Sequence, residues 1–333
     1  MGRQASSVLI WTALWAVYIV WGSTYLAIRV ADRTLPPFLM AGVRFILAGA
    51  IMYGWAVWRG HIRYERPTVR NWLAATIVGG ALCLGGNGLV VWAELHIGSG
   101  LAALIVATVP LWLALLDRLV FGQRLSAAAI FGLTLGFGGL AILVNPSGSN
   151  FSAAGVAAVV FAAFFWASGS LYSRAAPLHS RPFVATGMEM MAGGVLLSIV
   201  GLATGEAGHV HLSHVGLNPA LAWGYLVVFG SLVGFTAYVW LLRVAPTSLV
   251  GTYAYVNPVI AVFLGWLLLH EHVGWQTFAG GAVIVAGVLL IVNSNRPAAA
   301  AGEPASGEPP ARIATEPEDE PEAEREPADE GAA

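Results

Sequence analysis

The sequence predicts an all-α membrane protein in which ten transmembrane helices form two inverted five-helix repeats. Three observations predict it. The chain of 333 residues is 57% hydrophobic and only 10% charged, where a soluble domain carries about 25% charged residues. Its apolar residues fall into ten runs, each close to the ~20 residues that cross a ~30 Å hydrocarbon core as a helix. The second half repeats landmarks of the first at steady offsets of 145 and 148 residues.

In order, the expected spans are Val8–Ile28, Phe38–Trp58, Asn71–Ala93, Gly98–Leu116, Leu125–Val144, Ala153–Ser173, Pro182–Ala203, Ala220–Leu242, Thr247–Leu269 and Trp275–Asn293. The first follows Arg3 as a signal peptide would. It has no small-residue cleavage site near its end, so it reads as an uncleaved span. Connections are short, apart from arginine-rich Arg59–Arg70 and Thr204–Pro219 with its glycines and histidines. The chain therefore divides into a first repeat over residues 1–146, a second over 147–296 and a tail over 297–333. The tail holds 11 of the 18 acidic residues and no apolar periodicity. Such a composition cannot bury enough surface to offset chain entropy, so a disordered, solvating tail is expected. Ahead of it stand 14 arginines, 7 acids and no lysine. Cys83, the only cysteine, sits in an apolar span and excludes an intrachain disulfide.

At the offset of 145, Trp21–Arg29 (WGSTYLAIR) aligns with Trp166–Arg174 (WASGSLYSR), and Pro37–Arg44 aligns with Pro182–Glu189. At 148, Trp92, Leu101, Pro110, Gly132, Gly139 and Val144 meet Trp240, Leu249, Pro258, Gly280, Gly287 and Val292. Five spans per copy is an odd number, so the second copy enters the membrane upside down. Inverted repeats place a binding site near the midplane and let the halves exchange conformations. Pro110 and Pro258, deep in the fourth and ninth spans, are expected to break those helices there. With the N-terminus inside, inner segments hold eleven arginines and outer loops only Arg29 and Arg33. Both termini are therefore expected in the cytoplasm.

The WGSTYLAIR opening, the PFLMAGVRF second span and the proline-bearing fourth and ninth spans resemble the drug/metabolite transporter superfamily, specifically its ten-helix EamA-type exporters. The resemblance runs from about Trp11 to Asn293. It implies an inner-membrane carrier that moves amino acids, other metabolites or drugs, usually outward, through a cavity between the repeats. One departure concerns the Gly-Glu that the family often carries after the fourth span. This chain has Gly122-Gln123 there, and only the second copy keeps an acid, Glu271.

Among interior residues, Arg44 lies about 9 Å inside its span, where an ionisable group marks function by default. Its fork suits a carboxylate substrate; the alternative is an arginine reaching out to the surface. Glu189, its repeat partner, is expected at a different depth, unpaired with Arg44, and suits proton coupling. The alternative is a structural hydrogen bond. Trp21, Tyr25, Asn87, Trp166, Ser170, Thr252, Tyr255 and Asn257 are expected to line a polar, aromatic substrate cavity, with interhelical packing as the competing reading. Glu94 and His96 read as a solvated rim.

His209, His211, His214, His270 and His272, with Glu271, share the outer side, but loop histidines carry no metal assignment by themselves. No P-loop, H-E-x-x-H or G-x-S-x-G is present, so no cofactor, covalent chemistry or nucleic-acid partner is expected. The expected partners are a small-molecule substrate, the bilayer and protons. Oligomeric state stays open. The rival readings are an uncoupled facilitator or exchanger, and a membrane sensor or enzyme binding a lipid or small ligand.

Overall fold

The computed structural model describes residues 6–63, 65–122, 126–143, 152–210, 215–245, 247–250 and 252–294. Among these the chain forms ten helical spans. They are α1 (Ser7–Ala31), α2 (Pro37–Trp58), α3 (Val69–Glu94), α4 (Ser99–Phe121), α5 (Ala127–Leu143), α6 (Ala153–Ser173) and α7 (Pro182–Ala203). Then come α8 (Leu217–Tyr225, Leu226–Val233 and Gly234–Val244 end to end), α9 (Thr247–Val250 and Tyr253–Leu269) and α10 (Trp275–Ser294). Seven are long and apolar enough to cross a membrane by length and composition, while α5, α9 and α10 contain shorter apolar helices. Large apolar side chains such as Ile51, Phe161 and Ile199 are exposed around the bundle, the surface that lipid covers.

Helix ends repeat between the halves. Ser6 and Ser152 cap α1 and α6, accepting from Leu9 N at 3.3 Å and Gly155 N at 3.2 Å. Pro37 and Pro182 open α2 and α7, where the missing N–H costs nothing. Gly122 and His270 close α4 and α9 in the left-handed region, at φ 65° and 54°.

Glycine pairing fixes the relation between the halves. Gly42 and Gly49 of α2 meet α7: a Cβ on Gly42 would lie 2.9 Å from the Gly194 carbonyl, and one on Gly49 2.7 Å from the Gly187 carbonyl. By the repeat, Gly42 corresponds to Gly187 and Gly49 to Gly194. Each glycine therefore meets the other's counterpart and not its own. The seam between α5 and α10 does the same. A Cβ on Gly139 would lie 2.9 Å from the Gly280 carbonyl, and one on Gly287 2.6 Å from the Gly132 carbonyl. Crossed pairing of this kind is what a two-fold relation produces, and it requires the partner helices to run antiparallel. Small residues let the backbones close in, as lipid-embedded seams need.

The sequence expectation puts helix breaks at Pro110 and Pro258. In α4 the helix does break beside Pro110, at Ala107–Thr108, and the proline enters the first turn of the next piece. In α9 the described pieces are Thr247–Val250 and Tyr253–Leu269, parted ahead of Tyr253, and Pro258 stays inside the second, continuous one. The shared device is a threonine. Thr108 Oγ1 donates to Ile105 O at 2.7 Å, and Thr252 Oγ1 to Leu249 O at 2.5 Å. Each hydroxyl adds a second bond to a carbonyl at the break that also accepts the threonine's own backbone N–H, at 3.0 Å and 3.2 Å. The tail, Gln123, His211 and His214 lie outside the described residues.

Candidate functional site

Two helices leave the α-helical winding at equivalent places. In α3 the π-wound stretch is Gly80–Gly88, and in α8 it is Leu226–Val233. Such stretches widen the turn and misalign carbonyls, and they collect at functional sites. Each is faced by a tryptophan of the opposite repeat. Trp21 of α1 donates its indole N–H to Gly230 O at 3.2 Å. Trp166 of α6 lies against Gly86, where an added Cβ would come within 2.8 Å of its ring.

Each π stretch also has an ionisable neighbour. Arg44, on α2, is only 3% exposed. Its Nε donates to Ser231 Oγ at 2.9 Å and its guanidinium carbon lies 4.8 Å from the Phe45 ring centre. Its Nη1 is buried without a hydrogen-bond partner among the described residues. The arginine therefore does not reach out to the surface. Glu189, on α7, is half-buried beside α3, where its backbone carbonyl packs on Gly79. Cys83 of the π stretch is within electrostatic range of both Arg44 and Glu189. Arg44 and Glu189 form no ion pair with one another among the described residues; the pair found there joins Arg174 and Asp117 at 3.9 Å on an exposed surface.

The other expected lining residues divide. Thr252, at the α9 break, hydrogen-bonds the Tyr18 hydroxyl of α1. Asn257 is 8% exposed, and its amide nitrogen donates to Tyr18 O at 3.2 Å and Tyr253 O at 3.3 Å. Both therefore tie α9 to α1, and the Asn257 amide is spent on backbone carbonyls. Among the described residues Asn87 reaches only Leu82 O, at 3.5 Å, across its own π turn. Tyr25 packs at the far end of α3 with Val90 and Ala93. Ser170 is half-buried, its carbonyl bonded by the Ser173 hydroxyl at 2.8 Å. Tyr255 lies on α9, with its side chain outside the described residues. Sequence reasoning passed over Ser231, and also the rings of Phe235, Tyr238 and Tyr253, which stand 5.1–5.4 Å from Trp21. Residue type gave no signal for them, since serine and aromatic residues abound in these spans.

Glu94 corrects an expectation. It is 0% exposed, not a solvated rim, while His96 is exposed and stacks on Trp92 at 4.3 Å. Placing Glu94 seven residues from Asn87 fixed its helix face but not what covers that face.

Loop carboxylates have a different task. Glu271 accepts from Ser99 N at 2.8 Å, Ser99 Oγ at 2.9 Å and Gly100 N at 3.2 Å, at the start of α4. Glu206 accepts from Phe38 N at 3.2 Å and Leu39 N at 2.8 Å, at the start of α2. Glu65 takes the hydroxyl and N–H of Ser180, just before α7, and Ser180 holds its carboxyl below the usual range. Glu271 and Glu206 of the second repeat thus satisfy helix starts of the first, where orphan donors and the helix dipole favour negative charge. Glu65 of the first repeat holds the turn just ahead of α7 in the second.

Ten membrane helices in two inverted halves, with broken helices and a buried cation at their seam, define a membrane transporter. The comparisons agree. The EamA-like transporter family model matches residues 8–145 and again 153–293. The chain is 39% identical over 282 residues to an uncharacterized inner membrane transporter, YedA, of Escherichia coli strain K12, covering 84% of this chain and 89% of that one. It is 27% identical over 297 residues to a probable amino-acid metabolite efflux pump of the same strain, covering 83% and 92%. A solved crystal structure superposes with a TM-score of 0.59 at 21% identity, over 86% of this chain and 96% of that chain. The chain belongs to the EamA-like transporter family, within the drug/metabolite transporter superfamily.

Proposed function

We propose that this transporter exports amino acids or other small metabolites or drugs by alternating access, coupled to protons. Arg44 anchors an anionic group of the substrate, Trp21, Tyr25 and Trp166 shape the pocket, and Glu189 exchanges a proton as access changes. The observation that carries this reading is the unspent Nη1 of a buried Arg44, held at a π-wound stretch by Ser231. A buried guanidinium N–H without a partner is costly and suits an incoming carboxylate. The name of the efflux-pump relative supports the substrate class and direction. The arginine distribution supports cytoplasmic termini, with repeats over residues 1–146 and 147–296 and the acidic tail inside.

Uptake into proteoliposomes, or export from loaded cells, tests these roles. Arg44→Ala is expected to lower flux about tenfold or more, the worth of ~1.4 kcal/mol of lost interaction. Glu189→Gln is expected to remove the response to an imposed pH gradient. Wild-type flux in both variants would overturn the assignments. Flux in the wild type that ignores the gradient would favour the facilitator.

A further inference from the structure

Glu94 ends α3 on the side turned away from exposed Leu95 and His96, wholly buried, with neither carboxylate oxygen hydrogen-bonded among the described residues. Both carboxylate oxygens of Asp32, which caps α1, are buried and unpartnered in the same way. The charged and titratable groups facing Glu94 are Tyr25, Arg29 and Asp32 from α1 and its end, and Glu271 from the connection after α9. Glu271 is already committed to Ser99 and Gly100. The helices packed on this end of α3 are α1, α2, α4 and α6. In α2, α4 and α6 the ionisable side chains (Arg44 and Tyr53, Asp117 and Arg118, Tyr172) all lie deeper or at the far end. Asp32 in turn faces Arg29 and Glu206.

Among the described residues Arg29 is thus the cation that serves both buried acids, and it forms no ion pair with either. An ionised carboxylate buried without donors is far costlier than a neutral acid, so such a group holds a proton. The described residues gather no group of three or more His, Cys, Asp or Glu that could hold a metal ion instead.

We infer that Glu94, with Asp32 beside it, forms a proton-binding site where the end of α3 meets α1, loaded while that end is closed and emptied when it opens to water. The inference rests on the carrier reading and adds a second titrating position, at the end of α3, whereas Glu189 lies beside its middle. Closure at this end is held by the Glu206 and Glu271 contacts, so the site would gain access to water when those contacts part.

Infrared difference spectra of the full-length protein in liposomes, between neutral and alkaline pH, read the C=O stretch of a protonated carboxylic acid without any substrate. The wild type is expected to show such a band at neutral pH, and Glu94→Gln to lose the Glu94 component of it while the Asp32 component stays. Asp32→Asn, which removes a like charge, is expected to keep the band and lower its titration midpoint. Glu94→Asp should restore a band, which separates loss of the acid from a folding defect in the glutamine variant. An unchanged spectrum in Glu94→Gln, or a band that follows sodium or potassium and not pH, would overturn the site. Flux in the same vesicles tests the other level. If vesicles move no substrate while the Glu94 band is present, the carrier reading fails and the proton site stands. If an imposed pH gradient accelerates flux equally in wild type and Glu94→Gln, the coupling role fails and the carrier reading stands.

Discussion

At the scale of single residues, the interior polar groups sort by whether their bonding capacity is used up. Asn257 and Thr252 spend theirs on α1, whereas Arg44, Asp32 and Glu94 keep unpartnered buried atoms. A spent group holds the fold, and an unspent one costs stability that function must justify. Asp32 makes this measurable, because it lies in the connection beyond α1. Burial pushes its carboxyl from 3.8 up to about 8, with Arg29 opposing and Glu206 adding. The folded state then binds this proton more tightly than the unfolded state, so the term lowers stability as pH rises between those two values. Asp32→Asn is expected to stabilise the protein by about 1–3 kcal/mol at mildly alkaline pH and little in acid. Thermal unfolding in detergent across that range checks it; equal gains at both ends would reject the burial argument.

At the scale of elements, the seams between repeats are built from glycines whose positions leave no room for a side chain. Gly139→Val is expected to cost about 1–3 kcal/mol, since the new Cβ would meet the α10 backbone at Ile284 N within 2.8 Å. The same substitution at Gly138, which has nothing within 4 Å of a Cβ, should be close to neutral, and melting temperatures of the two variants compare them. The breaks in α4 and α9 are set by threonine hydroxyls. Thr108→Val should cost roughly 1 kcal/mol by removing the hydroxyl's bond to the Ile105 carbonyl, which keeps only the Thr108 N–H. Much of this layer was legible: Gly132, Gly139, Gly280 and Gly287 stand out as repeat matches in the sequence. The α9 break was not, because a proline announces itself by type, while a threonine that ends a helix looks like any other. Membrane helices tolerate proline when neighbours re-satisfy its carbonyl, so Pro258 could stay inside one.

At the scale of the whole molecule, the arginine distribution predicts a topology for the inverted halves that labelling can read. In a Cys83→Ser background, Arg33→Cys is expected to react with an impermeant maleimide on intact cells, and Arg66→Cys only after permeabilisation. The reverse pattern would invert the molecule and the proposed direction of its gates. The loop acids Glu65, Glu206 and Glu271 each bond the start of a helix, or the turn just ahead of one, in the opposite repeat, so they hold the two halves together at their ends.

The sequence by itself determined the class, the ten spans, the duplication and the family, because apolar run length, arginine placement and repeated landmarks are properties of the chain read in order. It also singled out Arg44 and Glu189 as candidates, since a charge deep in an apolar run is conspicuous wherever its helix turns. Only the tertiary structure decided that Ser231 holds Arg44, that Asn257 is spent on Tyr18, and that Glu94 is buried and not rinsed by water. The reason is physical: whether a polar atom is satisfied depends on which residue of another helix, often more than a hundred positions away, comes within hydrogen-bond distance of it.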